Sequence, residues 1–221
     1  VEENDVKFIR LMFCDIFGKI KNISVMAEHL TSNLESGVTF DASAIRGFMN
    51  IGEADLLLKP DFSTLSLLPW RPHQGSVMRV FCDITHPDGS KFDGDCRGLL
   101  KSVMRRAEKL GYNCRVGNEC EFYLFETDNF GKPTMIPQDN AGYMDFAPED
   151  KGENIRRDIC LMLEQMGIKP ETSCHKKGPG QNEIDFRFNY PVNAADDFTM
   201  FKAAVKTVAG QNGLYASFMP K

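Results

Sequence analysis

The sequence predicts an α+β chain built in two parts. Strand-like patterns dominate residues 1–95, a helix signal opens at Asp95, and beyond it helical and strand-like stretches alternate. In the first part Val6, Phe8, Ile9, Leu11, Met12 and Phe13, with Lys7 and Arg10 between them, read as a strand. Gly18 suits a turn, and Ile20, Ile23 and Val25 supply the returning arm of a hairpin. A short helix is expected over residues 27–34. A second hairpin is expected from Val77 to Phe92, turning at Pro87-Asp88-Gly89, where glycine supplies a positive φ.

Asp95 can cap a helix in which Leu99, Leu100, Val103, Met104, Ala107 and Leu110 recur at helical spacing, and Gly111 sits where such a helix stops. Further helices are expected over 153–166 and 197–211, and strands over 114–125, 169–174, 183–188 and 214–219. The change of pattern near residues 90–97 divides the chain into domains 1–95 and 96–221. Its close on Phe218-Met219-Pro220-Lys221, directly after a predicted strand, marks the sequence as a fragment truncated at the C-terminus.

Composition narrows the function. With 221 residues, 42% hydrophobic and 26% charged, the chain has enough apolar material for a packed core. Seven irregularly spaced cysteines, none in a C-x-x-C pair, argue against a disulfide scaffold or a zinc centre. A net charge of −5 argues against nucleic acid as partner, because such binders cluster Lys and Arg against phosphates. No apolar run approaches the roughly 18 residues of a membrane span, and Val1-Glu2-Glu3-Asn4-Asp5 is no signal peptide. A soluble cytoplasmic protein without a membrane partner is expected.

Two strands carry candidate chemistry. Glu119, Glu121 and Tyr123 share one strand face, because successive side chains point to opposite sides. Paired carboxylates suit a hard divalent cation, and equally suit a solvated face. In residues 181–188, Gln181, Glu183, Asp185 and Arg187 alternate with Ile184, Phe186 and Phe188. Were the two strands neighbours, Glu119, Glu121 and Glu183 could converge on a pair of metals. Gly178-Pro179-Gly180 reads as a sharp turn and lacks the P-loop pattern. His29, His73 and His86 read as surface groups, whereas His175 lies close to the acidic strand and is a functional candidate. No nucleophilic triad stands out.

The segments VKFIRLMFCDIFGKIKN, FDASAIRGF, GEADLLLKPDFSTLSLLPW, FCDITHPDG, NECEFYLF, DFAPEDKGENIRRDICLMLEQMG, GPGQNEIDFRF and ASFMPK occur in the order found in the amino-terminal half of bacterial type I glutamine synthetases. The chain resembles that family over nearly its whole length. The resemblance implies an amino-terminal β-grasp domain followed by an incomplete catalytic α/β barrel. It also implies a homo-oligomer, a double hexameric ring whose active sites are shared between subunits. The implied activity joins ammonia to glutamate with ATP and Mg²⁺ or Mn²⁺ through γ-glutamyl phosphate, and the 221-residue chain alone is expected to be inactive.

Carried over residue by residue, the resemblance makes Glu119, Glu121 and Glu183 metal ligands and places Glu171 and Phe188 at the nucleotide. It gives Asp41 the deprotonation of ammonium in the neighbouring subunit and sets Tyr143 beside that ammonium. Two departures stand out. Asp41-Ala42-Ser43-Ala44 replaces Asp-Gly-Ser-Ser, and Ser173-Cys174-His175-Lys176 replaces Ser-His-His-Glu, exchanging a metal-binding carboxylate for a cation. Lys176 is expected to pair with Glu119, Glu121 or Glu183 and to weaken one metal site. A ligase for another amine, or a non-catalytic, assembly-forming relative, are the alternatives.

Overall fold

Alternating burial sets the first sheet: Val6, Ile9, Leu11 and Phe13 of β1 (Val6–Cys14) are buried, while Lys7 and Phe8 are exposed. The computed structural model describes residues 4–29, 37–48, 54–70 and 75–220. The chain divides into two compact units, Val1–Cys114 and Arg115–Lys221.

The first unit contains β1, β2 (Ile20–Met26), β3 (Val38–Asp41), β4 (Asp55–Pro60), β5 (Ser66–Leu67), β6 (Ser76–Thr85) and helix α1 (Cys96–Lys109). The strands run in the order β2-β1-β6-β4-β3, with β5 also paired to β6. β1 and β6 are parallel, and the remaining pairs are antiparallel. Ile9, Leu11, Leu56, Leu58 and Val80 have no exposed surface, and the Phe13 ring packs on Phe40 and Phe48. Each such aliphatic side chain contributes about 1.5–3 kcal/mol through burial.

The first expected hairpin forms as read: Asp15 accepts from the N–H groups of Phe17 and Lys19, both at 2.9 Å, and Gly18 turns with φ +72°. The second does not. Beyond the turn at 86–90 only Thr85 and Lys91 bridge, because one edge of β6 is taken by β1 and the other by β4 and β5. Of the helix expected over 27–34, a 3₁₀ turn covers Ala27–His29, and the rest lies outside the described residues, as does His73.

Asp95 caps α1 by accepting from Arg97 N–H at 3.1 Å, and its second oxygen accepts from Ile84 N–H at 3.0 Å, tying the helix start to β6. Arg97 and Lys101 extend this tie to Asp61 and Asp83, with contacts of 2.6–3.3 Å. Burial alone would raise the Asp61 carboxyl, but hydrogen bonds from Ser63, Arg97 and Lys101, with the Arg97 charge, outweigh it and hold it well below the usual carboxylate range. Its ionised form therefore favours folding at neutral pH, and that contribution is lost as pH falls below the unfolded value of about 3.9 toward the depressed folded one. Urea unfolding of the chain between pH 6 and 3 is expected to show a fall in stability on acidification that Asp61→Asn reduces.

The second unit is a five-stranded sheet of order β11-β7-β10-β9, with β8 on β7, antiparallel throughout. Its elements are β7 (Glu119–Thr127), β8 (Pro133–Pro137), α2 (Glu153–Gln165), β9 (Pro170–His175), β10 (Gln181–Phe186), α3 (Pro191–Gln211) and β11 (Leu214–Ser217). β7 starts five residues later than expected from position 114, and α3 starts at Pro191 instead of 197, proline at its first turn being preset for a helix. The helices pack on one face, where Phe201 of α3 meets the rings of Phe122 and Phe186 at 6.0 and 4.7 Å. Among the described residues no helix is long and apolar enough to cross a membrane.

Candidate functional site: an acidic sheet face around Lys176

The face of the second sheet turned away from those helices is built by register. Glu183 of β10 lies directly opposite Glu121 of β7 and Cys174 of β9, and Asp185 lies opposite Glu119 and Thr172. Residues paired in this way share a face, so Glu119, Glu121, Glu183 and Asp185 stand together on it. Cys120, Phe122, Leu124, Ile184 and Phe186 take the opposite, buried face.

Lys176, one residue beyond β9, reaches across this surface. Its ammonium pairs with Glu183 Oε2, stands 3.7 Å from Glu121 Oε1, and lies 5.6 Å from the centre of the Tyr143 ring. The hydrogen bond to Glu183 raises the Lys176 pKa, so the ammonium is charged at neutral pH. Gln181 Nε2 donates to the other Glu121 oxygen at 2.7 Å, and Cys174 Sγ lies 3.9 Å from Glu183 Oε2. Burial, reinforced by the Glu183 charge, raises the Cys174 thiol pKa and keeps it protonated.

The lysine's backbone is held at both ends. Its N–H donates to the Gln181 carbonyl at 2.8 Å, and its own carbonyl lies 2.6 Å from His175 Nδ1. Contrary to expectation His175 does not line the acidic face. It is fully buried on the other side, with Nδ1 also 2.9 Å from the Gly142 carbonyl and Nε2 2.9 Å from Asp139. Asp139 also accepts from Gly180 N–H at 3.0 Å. Gly180 has φ +65°, and a Cβ there would lie 2.6 Å from the Leu124 carbonyl oxygen, so the expected sharp turn admits only glycine. Beside it, Arg156 of α2 donates to both oxygens of buried Asp150 and to Asn182 Oδ1.

Asp139, Asp150 and His175 offer ligand atoms within 4.8 Å of one another. Their hydrogen-bonding capacity is already directed to Arg156, backbone N–H groups and each other, so this group is a structural polar core. The sequence signal for it was the place of Arg156 beside the apolar side of α2, at i, i+3 and i+7 with Ile159 and Leu163. Removing one partner of a buried ion pair costs about 3–5 kcal/mol. Arg156→Ala is expected to lower the urea-unfolding free energy of the chain by about that amount.

The other predicted residues are dispersed. Asp41 is exposed at the end of β3, where it caps the turn Ala42–Ala44 by accepting from Ser43 N–H at 2.9 Å and Ser43 Oγ at 2.6 Å. These bonds lower its pKa and keep it ionised. Glu171 is the extra residue of a bulge in β9 and lines a hollow of about 410 Å³ with Lys169 and Arg187. Phe188, exposed beyond β10, lines an adjoining hollow of about 240 Å³ that shares those two basic residues.

A divalent ion between Glu121 and Glu183 conflicts with Lys176 in this position. Unit charges about 4 Å apart near a protein surface repel by about 4 kcal/mol, and a divalent ion doubles that. Glu119, exposed at the mouth of the face, lies outside the Lys176 contacts.

An antiparallel acidic sheet backed by two helices, preceded by a separate mixed sheet, is the arrangement found in one family of nitrogen-metabolising ligases. The sequence profile described as "Glutamine synthetase, beta-Grasp domain" matches residues 5–87, and "Glutamine synthetase, catalytic domain" matches 93–221. The chain belongs to the glutamine synthetase family. It is 50% identical to a glutamine synthetase of Clostridium saccharobutylicum and 48% identical to one of Methanosarcina mazei, in each case over all of this chain and 50% or 49% of the relative. A structure titled "GmaS/ADP complex" matches with a TM-score of 0.87 at 30% identity, over the whole chain and 50% of that protein. Plasmodium falciparum glutamine synthetase shares the fold, with a TM-score of 0.88 at 24% identity over the whole chain and 49% of that protein. The chain thus spans about half the length of the curated relatives it matches.

Proposed function

We propose that the protein carrying this chain is a cytoplasmic ATP-dependent ligase that forms glutamine from glutamate and ammonia through γ-glutamyl phosphate. It works as a homo-oligomer, a double hexameric ring, with a β-grasp part over 1–95 and a catalytic part over 96–221. The observation that carries this reading is the β7–β10 register, which gathers Glu119, Glu121 and Glu183 on one face within a chain similar throughout to glutamine synthetases.

In this reading that face is the cation-binding surface. Mg²⁺ or Mn²⁺ bound there would neutralise the oxygens of the transferring phosphoryl group. Glu119 is the carboxylate best placed for a divalent ion, since Glu121 and Glu183 already hold Lys176. Lys169 and Arg187 give the hollows beside Glu171 and Phe188 a basic lining suited to a nucleotide's phosphates, with the exposed Phe188 ring suited to its base. A solved relative with ADP supports that assignment. Asp41, ionised and exposed, can take a proton from an incoming ammonium, and Tyr143 presents its ring to a cation, as the Lys176 contact illustrates.

A second reading, ligation of another amine or a non-catalytic role in the assembly, is favoured by Lys176 and by Ala44 in place of a hydroxyl. ADP release by the full-length oligomer separates the two. Glutamate-dependent release stimulated by ammonium is expected; stimulation only by larger amines, or by none, supports the second reading.

Asp41→Asn isolates the charge, because asparagine caps a turn as well as aspartate does. It is expected to slow ammonium-dependent ADP release in the full-length oligomer on the order of 10²-fold, with nucleotide binding and thermal stability unchanged. Equal loss of nucleotide binding would indicate a folding role.

A further inference from the structure

The acidic face holds a cation of its own. Lys176 is no free surface lysine: its N–H is bonded to Gln181, its carbonyl faces the buried His175 ring, and that ring is fixed by Asp139. From this clamped backbone the side chain runs onto the acidic face, with 21% of its surface exposed, and ends between two carboxylates under the edge of Tyr143. Of these, Glu183 is the more deeply buried, its side chain 10% exposed, and a carboxylate so placed needs a compensating cation. Glu121 has its remaining oxygen engaged by Gln181. The pair is therefore furnished with a cation and a hydrogen-bond donor by the chain itself.

We propose that Lys176 is the resident cation of the Glu121–Glu183 pair, so that this pair is closed to divalent metal and the face accepts such an ion only beyond it, toward Glu119. His175 and Asp139 act as positioning residues that keep the lysine in place. The proposal deepens the reading of this face as a cation-binding surface. Its readout is metal affinity and not turnover, so failure of the ligase reading and failure of this one are distinguishable.

The test is Mn²⁺ binding by the full chain, followed by electron paramagnetic resonance of the free ion. Lys176→Glu should bind Mn²⁺ roughly tenfold or more tighter than the unaltered chain, and Glu183→Gln added to it should abolish the gain. Lys176→Met, which leaves both carboxylates unpaired without adding a third, should also gain affinity, by a smaller factor, and covers the case in which Lys176→Glu does not fold. In the unaltered chain Glu183→Gln should leave Mn²⁺ affinity unchanged. Two results overturn the proposal: a loss of affinity on Glu183→Gln alone, since the pair would then already ligate the metal, or no gain in whichever Lys176 variants fold.

Discussion

The register between β7 and β10 is the constraint on which the rest of the second unit depends. Pairing Glu183 with Glu121 puts two carboxylates side by side on one face, and the same alignment pairs Ile184 with Cys120 and Asn182 with Phe122 on the other. A slip of one residue would turn Glu121 and Glu183 into the core and bring Phe122 and Ile184 to the surface. The packing of Phe122 and Phe186 around Phe201 therefore holds the acidic face in place without touching it. Hydrophobic burial, which has no preference for direction, becomes a positioning device once the strand period is imposed on it.

The reverse side of the β9–β10 hairpin is polar, and that too serves the acidic face. Asp139 joins His175 to the Gly180 turn, and Arg156 joins Asp150 to Asn182, so each end of the hairpin is anchored to a charged, buried partner. Burial alone would raise the Asp139 carboxyl; the His175 contact and the N–H groups of Gly180 and Ala141 outweigh it and keep the carboxyl below its usual range. Lys176 is the residue at which the two sides meet, with its backbone in the buried network and its ammonium among the carboxylates. Cation and carboxylates are then fixed by one hairpin, and a charge that would otherwise be screened by water acts at a defined place.

Much of this was legible in the sequence, for physical reasons that differ from element to element. The period-two patterns of Glu119–Tyr123 and Gln181–Phe186 gave the faces correctly, because alternation is a property of the strand alone. That the strands are neighbours was not legible, since pairing is decided by long-range packing. The second hairpin failed because a good turn at Pro87-Asp88-Gly89 does not supply a free sheet edge, and β6 had none. His175 misled because nearness in sequence to the acidic strand says nothing about which face a residue takes. The pairing of Lys176 with an acidic neighbour was readable from charge and position; which of three glutamates it meets was not.

The central claim is that a lysine ammonium, held by a buried clamp, fills the space between Glu121 and Glu183. The most direct measurement is a crystal structure of the chain grown in Mn²⁺, with anomalous scattering used to place the ions. The account predicts Lys176 Nζ within hydrogen-bonding distance of Glu183, and no anomalous peak between that residue and Glu121. An ion coordinated by both carboxylates, with Lys176 turned out to solvent, would contradict it.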